Sequence, residues 1–247
     1  MGHFKVIFFN VGGTLIQLKG TTLPILYSQH LTNILQKHIS PQEVYKAFQA
    51  ADTWTLSRKN PGSLFSDLDQ RKYQNIFYNQ LGIRNRKEIN RIENLLANQL
   101  SFDYVLERSV IKLLNSLSEY HLGIISNWDE SLVDILQELG IIEYFDSITL
   151  SREIGIGKPS YEIFKSALAD FQGIKPKETV FLSSWYFRDI LPAQKLNFFV
   201  ILYDKGPNGM HGRPFHSDIK SPRIKELNEL PPVVQKYSRI KNQDKQR

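Results

Sequence analysis

The chain has 247 residues, enough for one medium domain or a core carrying an inserted one. Hydrophobic residues make up 41% and charged residues 23%, with 15 Phe and 11 Tyr, which supports a buried core and excludes a disordered chain. There is no cysteine, so disulfides, thiolate metal sites and cysteine nucleophiles are excluded, and a reducing compartment fits. The net charge of +6 permits an anionic partner without specifying one. Its basic residues gather at Arg84, Arg86, Lys87 and Arg91, and in the tail at Lys236, Arg239, Lys241, Lys245 and Arg247. Both groups read first as a solvated face and a frayed terminus.

The first predicted element is a strand over 5–9, a continuous apolar run of the kind buried on both faces of a parallel sheet. It is too short for a signal-peptide core, and no stretch approaches a membrane span, so a cytoplasmic protein without membrane contact is expected. Gly12 and Gly13 end the strand in a loop. Residues 21–100 then carry helical periodicity without a convincing strand. Ser40-Pro41-Gln42-Glu43 is a capping box with proline at the first helical position. Asn60-Pro61-Gly62-Ser63 predicts a turn, Ser66 opens a helix that Gly82 stops, and Asn85 caps another ahead of Ile89, Ile92 and Leu96.

After residue 109 the pattern alternates. Helices are predicted over 110–117, 131–139, 161–169 and 189–195, and strands over 122–125, 147–150, 179–182 and 198–202. Strands alternating with helices of that length imply a doubly wound parallel sheet of Rossmann-like α/β type. Such sheets hold their sites at the carboxyl ends of strands, which directs attention to the loops after Phe9, Ile125 and Leu182. The expected organisation is an α/β core over 1–16 and 103–247 with an all-helical cap inserted at 17–102.

Four segments at those positions carry a resemblance: FFNVGGTL at 8–15, IISNWD at 124–129, SREIGIGKPSYEIFKSAL at 151–168 and VFLSSWYFRDILPA at 180–193. In this order they resemble the four motifs of the cap-bearing haloacid dehalogenase-like (HAD) hydrolases, over residues 4–203. The resemblance implies a phosphohydrolase site. In that family a first Asp attacks the phosphoryl group and a second is the acid and base. A Ser or Thr and a Lys hold the phosphate, and fourth-motif carboxylates hold Mg²⁺.

Three of the family's carboxylates are missing here. Asn10 stands at the nucleophile position, Gly12 at the acid/base position, and Ser184 where the first metal-site Asp belongs. Asp189 alone matches a carboxylate of the metal half. A carboxamide is a poor nucleophile, and one acid makes a poor Mg²⁺ site, so no metal or other cofactor is expected. Gly13, Thr14, Ser126, Asn127 and Lys158 match the phosphate-holding half. Lys158, opposed mainly by Asp189, leaves a pocket suited to an anion without a metal.

Three readings follow. The leading one is a non-catalytic pseudoenzyme that binds a phosphorylated small molecule or a protein partner. The alternative is a weak phosphatase with a rearranged site, in which Asp189, Asp129 or Asp52 takes over a role and Mg²⁺ takes part. The third, a binder of nucleic acid or an acidic partner through basic cap and tail, rests only on charge, and nucleic acid is not expected. Trp185, Tyr186 and Phe187, like Trp128, read first as packing against the cap and second as an aromatic anchor for a partner or planar ligand. His211 and His216 flank Arg213 in a loop and read as surface residues rather than metal ligands.

Overall fold

A computed structural model describes residues 3–58, 67–205 and 221–244. Six strands form one parallel sheet in the order β5-β4-β1-β6-β7-β8: β1 (Val6–Phe9), β4 (His121–Ser126), β5 (Ser147–Leu150), β6 (Thr179–Ser183), β7 (Phe199–Tyr203) and β8 (Arg223–Ile224). The central β1 shows why. Its side chains alternate between faces: Ile7 and Phe9 enter one hydrophobic cluster with Leu113, Leu132 and Leu136, while Val6 and Phe8 enter a second with Ile163, Phe164 and Ala193. A strand apolar on both faces needs helices on both. They are supplied by α5 (Val110–Ser116) and α6 (Ser131–Glu138) on one side, and by α8 (Tyr161–Ala169) and α9 (Leu191–Lys195) on the other. Gly123 of β4 lies against the Phe8 ring, where an added Cβ would sit 2.6 Å from two ring carbons.

The helical stretch contains α1 (Leu23–Leu35), α2 (Pro41–Leu56), α3 (Asp67–Gln80) and α4 (Arg86–Gln99). Ser40 and Glu43 close the expected capping box, and the Asn85 side chain accepts from the Lys87 and Glu88 amides. These helices bury their own cluster around Leu31, Val44, Phe77, Tyr78 and Ile92. The predicted turn at Asn60 to Ser63 and the Ser66 cap lie outside the described residues.

Six features differ from the expectation. Residues on either side of the helical stretch pair as an antiparallel ribbon, β2 (Ile16–Leu18) with β3 (Tyr104–Leu106). The turn α7 (Ser151–Ile154), the edge strand β8 and the terminal helix α10 (Leu230–Asp244) were not anticipated. The helix expected to start at Asp189 begins instead at Leu191, after a single π-helical turn over Tyr186–Ile190. Phe198 precedes β7 rather than opening it. No helix among the described residues is long and apolar enough to cross a membrane.

Candidate functional site

The chain leaves β1 and returns beside it on one side as β4 and on the other as β6, so β1 is the switch point of the sheet. Phe9 is in register with Ile124 and with Leu182, which brings the ends of all three strands together. Asn10, Ser126 and Ser184 therefore converge, although more than a hundred residues separate the first two.

Lys158 is the hub. It is 0% exposed, and its Nζ donates to Asn10 Oδ1 at 2.8 Å, the Ile125 carbonyl at 2.9 Å and Asp189 Oδ2 at 2.9 Å. Asn127 fixes its backbone: Nδ2 donates to the Lys158 carbonyl at 2.8 Å, and Oδ1 accepts the Lys158 amide at 2.7 Å. Gly157 leaves room for this clamp, since a Cβ there would sit 2.9 Å from Asn127 Oδ1. The Lys158–Pro159 peptide is cis. Asp189, also 0% exposed, accepts from Ser183 Oγ at 2.6 Å and contacts Arg188 Nε at 3.3 Å through Oδ1.

Burial pulls the Lys158 ammonium down to about 8, with Asp189 opposing the fall. Burial alone would raise Asp189, but Lys158, then Arg188 and Ser183, more than offset it and hold the carboxyl below its usual range. Asp189 is thus a buried anion near neutral pH. Lys158 and Asp189 balance each other beneath the cleft, which leaves the Arg188 charge at the cleft wall.

The expected phosphate-binding residues divide into two groups. Ser126 and Asn127, with Asn10 and Gly12, line a cleft of about 270 Å³. The Ser126 hydroxyl has no hydrogen-bond partner among the described residues. Lys158, Thr14 and Gly13 do not line it. Thr14 is buried and occupied: its Oγ1 accepts from Asn10 Nδ2 at 3.3 Å and from the Ser184 amide at 3.2 Å, and it reaches Ser184 Oγ at 3.5 Å. Gly13 shapes the loop with φ of 75° and donates its amide to the Ile16 carbonyl. Asn10 Nδ2 also donates to the Gly12 carbonyl at 2.9 Å, a bond a carboxylate could not make.

Two of the three substitute acids are misplaced. Asp189 is enclosed, and Asp129 accepts from the Ser131 amide and hydroxyl at the start of α6. Asp52, on α2, lines the cleft and is the only carboxylate among the described residues that does. Its Oδ1 accepts from the Tyr73 hydroxyl at 3.0 Å. With Asn10 neutral, Ser184 paired with Thr14 and both Asp189 oxygens engaged, the residues at the strand ends do not fit the family's Mg²⁺ site.

Arg188 was not singled out in the sequence. It is the only cation lining the cleft among the described residues, with its guanidinium 3.9 Å from the Trp185 ring centroid. Trp185 is 8% exposed and walls the cleft, so packing and a site role coincide there. Tyr186 packs against the second core cluster. Trp128 lines the cleft, packs edge-on to Tyr104 and donates to Ser131 Oγ. The Phe187 side chain, His211, Arg213 and His216 lie outside the described residues.

A family model for haloacid dehalogenase-like hydrolases matches residues 4–197. The chain belongs to the haloacid dehalogenase-like hydrolase family. It is similar to the glyceraldehyde 3-phosphate phosphatase of Methanocaldococcus jannaschii, 32% identical over 106 residues that make up 43% of this chain and 44% of that protein. It is also similar to the haloacid dehalogenase-like hydrolase domain-containing protein 3 of Danio rerio, 31% identical over 46% of this chain and 45% of the relative. The chain thus spans under half the length of the curated relatives it matches. Among solved structures it shares its fold with the HAD-hydrolase YfnB of Bacillus subtilis (TM-score 0.63, 15% identity, 94% of this chain and 98% of that one). L-2-haloacid dehalogenase of Xanthobacter autotrophicus is similar in the same way (TM-score 0.60, 16% identity, 94% and 98%).

Proposed function

We propose that this HAD-like hydrolase binds a phosphorylated small molecule in the cleft at the ends of β1 and β4, and that the family's covalent aspartyl-phosphate route is closed in it. The observation that carries this reading is Asn10. Its Oδ1 is held by the Lys158 ammonium and its Nδ2 by Gly12 and Thr14. A carboxamide locked at both ends is not available for attack, and Gly12 has no side chain to move a proton. The phosphate would meet Ser126 Oγ and the Arg188 guanidinium, both at the cleft wall. Lys158, paired with Asp189, holds Asn10 in place from beneath.

A second reading is favoured by the phosphatase among the relatives and by the position of Asp52. Here Asp52, across the cleft from Asn10, takes a proton from a water that attacks the phosphoryl group directly, and no phosphoenzyme forms. Phosphate release from phenyl phosphate, with Mg²⁺ and with chelator, separates the two. The first reading expects no release above the Asp52→Asn variant. The second expects slow release that Asp52→Asn abolishes and Asn10→Ala leaves in place. Release that needs Asn10 would overturn both.

A further inference from the structure

Beside the cleft lies a second chamber of about 350 Å³. The two share five wall residues: Phe48, Asp52, Tyr73, Trp185 and Arg188. The chamber continues between α2, α3 and α4, and its inner wall is aromatic. Tyr27 and Phe77 pack around Phe48 with ring centroids 5.2 and 4.8 Å from it, and Tyr78 packs edge-on to Phe77. Within this apolar wall stands Glu93, which lines the chamber and not the cleft. Tyr78 and Gln74 donate to its two oxygens at 2.5 and 2.7 Å. Each oxygen keeps a lone pair, and no cation pairs with Glu93 among the described residues. Burial and this carboxylate push the Tyr27 hydroxyl up to about 12, so it is a neutral donor or acceptor beside the charge.

The junction with the cleft thus holds the Arg188 guanidinium beside the Asp52 carboxylate, and Glu93, without a cation partner among the described residues, stands among aromatic rings deeper in. We propose that the chamber receives the organic part of the phosphate ester, and that this part is a planar ring bearing a protonated amine directed at Glu93. The ligand class is the phosphomonoester of an aromatic ring that carries an aliphatic amine. Aromatic walls favour a ring by stacking and edge contacts, and they attract a cation as the carboxylate does. The volume suits one ring with a short amine arm. This inference rests on the phosphate-binding reading of the cleft.

Calorimetric titration of the whole protein tests it with four probes: 4-(2-aminoethyl)phenyl phosphate, phenyl phosphate, glycerol phosphate and tyramine. The amine-bearing ester is expected to bind about tenfold tighter than phenyl phosphate, the value of one charge-assisted bond. Glu93→Gln should remove that advantage and leave phenyl phosphate unchanged. Thr55→Leu, which narrows the chamber from α2, should weaken both ring probes and spare glycerol phosphate. Equal binding of the three esters, or an unaltered order in Glu93→Gln, overturns the chamber assignment while the phosphate reading stands. Tyramine binding as tightly as its phosphate ester overturns the phosphate reading and leaves the chamber.

Discussion

Replacing Lys158 with Met removes one ammonium and leaves its three acceptors behind. Asn10 Oδ1, the Ile125 carbonyl and Asp189 Oδ2 each lose a donor at 2.8 to 2.9 Å. The first two are neutral. Asp189 is a fully buried anion that keeps Ser183 and a longer contact to Arg188. Breaking a buried pair by deleting one partner costs roughly 3–5 kcal/mol, because the other charge stays buried without compensation. For a chain of this length that corresponds to a fall in Tm of roughly 6–20 °C. Replacing both partners by apolar side chains, Lys158→Met with Asp189→Leu, removes the stranded charge and should recover at least ~2 kcal/mol of the loss. Urea unfolding of the four proteins in the cycle measures both quantities. A loss below about 1 kcal/mol in Lys158→Met, or a double variant that simply adds the two single losses, would refute the hub assigned to Lys158.

The same pair sets a pH dependence. Lys158 is held at about 8 in the folded state against 10.5 for the free side chain, so between those values the unfolded chain carries a proton that the folded one lacks. Stability should rise through that window from this group, and the urea midpoint of Lys158→Met should lack the rise. Asp189, depressed by its partners, contributes stability above its unfolded value that is lost as pH falls toward its folded one, so Asp189→Asn should show a shallower acid limb. Asn127→Ala deletes both bonds to the Lys158 backbone and should cost about 1–3 kcal/mol in unfolding experiments, weakening phosphate-ester binding with it. Gly123→Ala drives a methyl into the Phe8 ring and should cost about 1–3 kcal/mol without touching the cleft, so ligand affinity of the folded fraction should be unchanged.

The strands of the sheet were legible because their burial is written locally. Residues 6–9 and 180–182 are apolar at every position, and a sheet covered on both faces accommodates such runs. The caps at Ser40 and Asn85 were legible for the same reason, since a cap bonds to amides two or three residues away. The ribbon of β2 and β3 was not. Each strand has three residues, too few for a period, and their partners are nearly ninety residues apart in sequence. The site was legible in its residue types but not in its directions. Lys158 bonds to Asp189 and Asn10, and Thr14 to Asn10 and Ser184, all beneath the cleft, and nothing local in KPS or GGTL says that their side chains turn inward. Arg188 was missed because its role comes from the π-helical turn, which holds it over Trp185 and beside Asp189.

In the proposed function the cleft holds a phosphate ester without a carboxylate at position 10. Calorimetric titration of phenyl phosphate into the protein in the presence of chelator, beside Arg188→Gln, tests it most directly. Saturable binding to one site per chain is expected, weakened about tenfold or more in Arg188→Gln, the effect of losing a charge-assisted contact to phosphate. No saturable binding, or equal affinity in the variant, would contradict it.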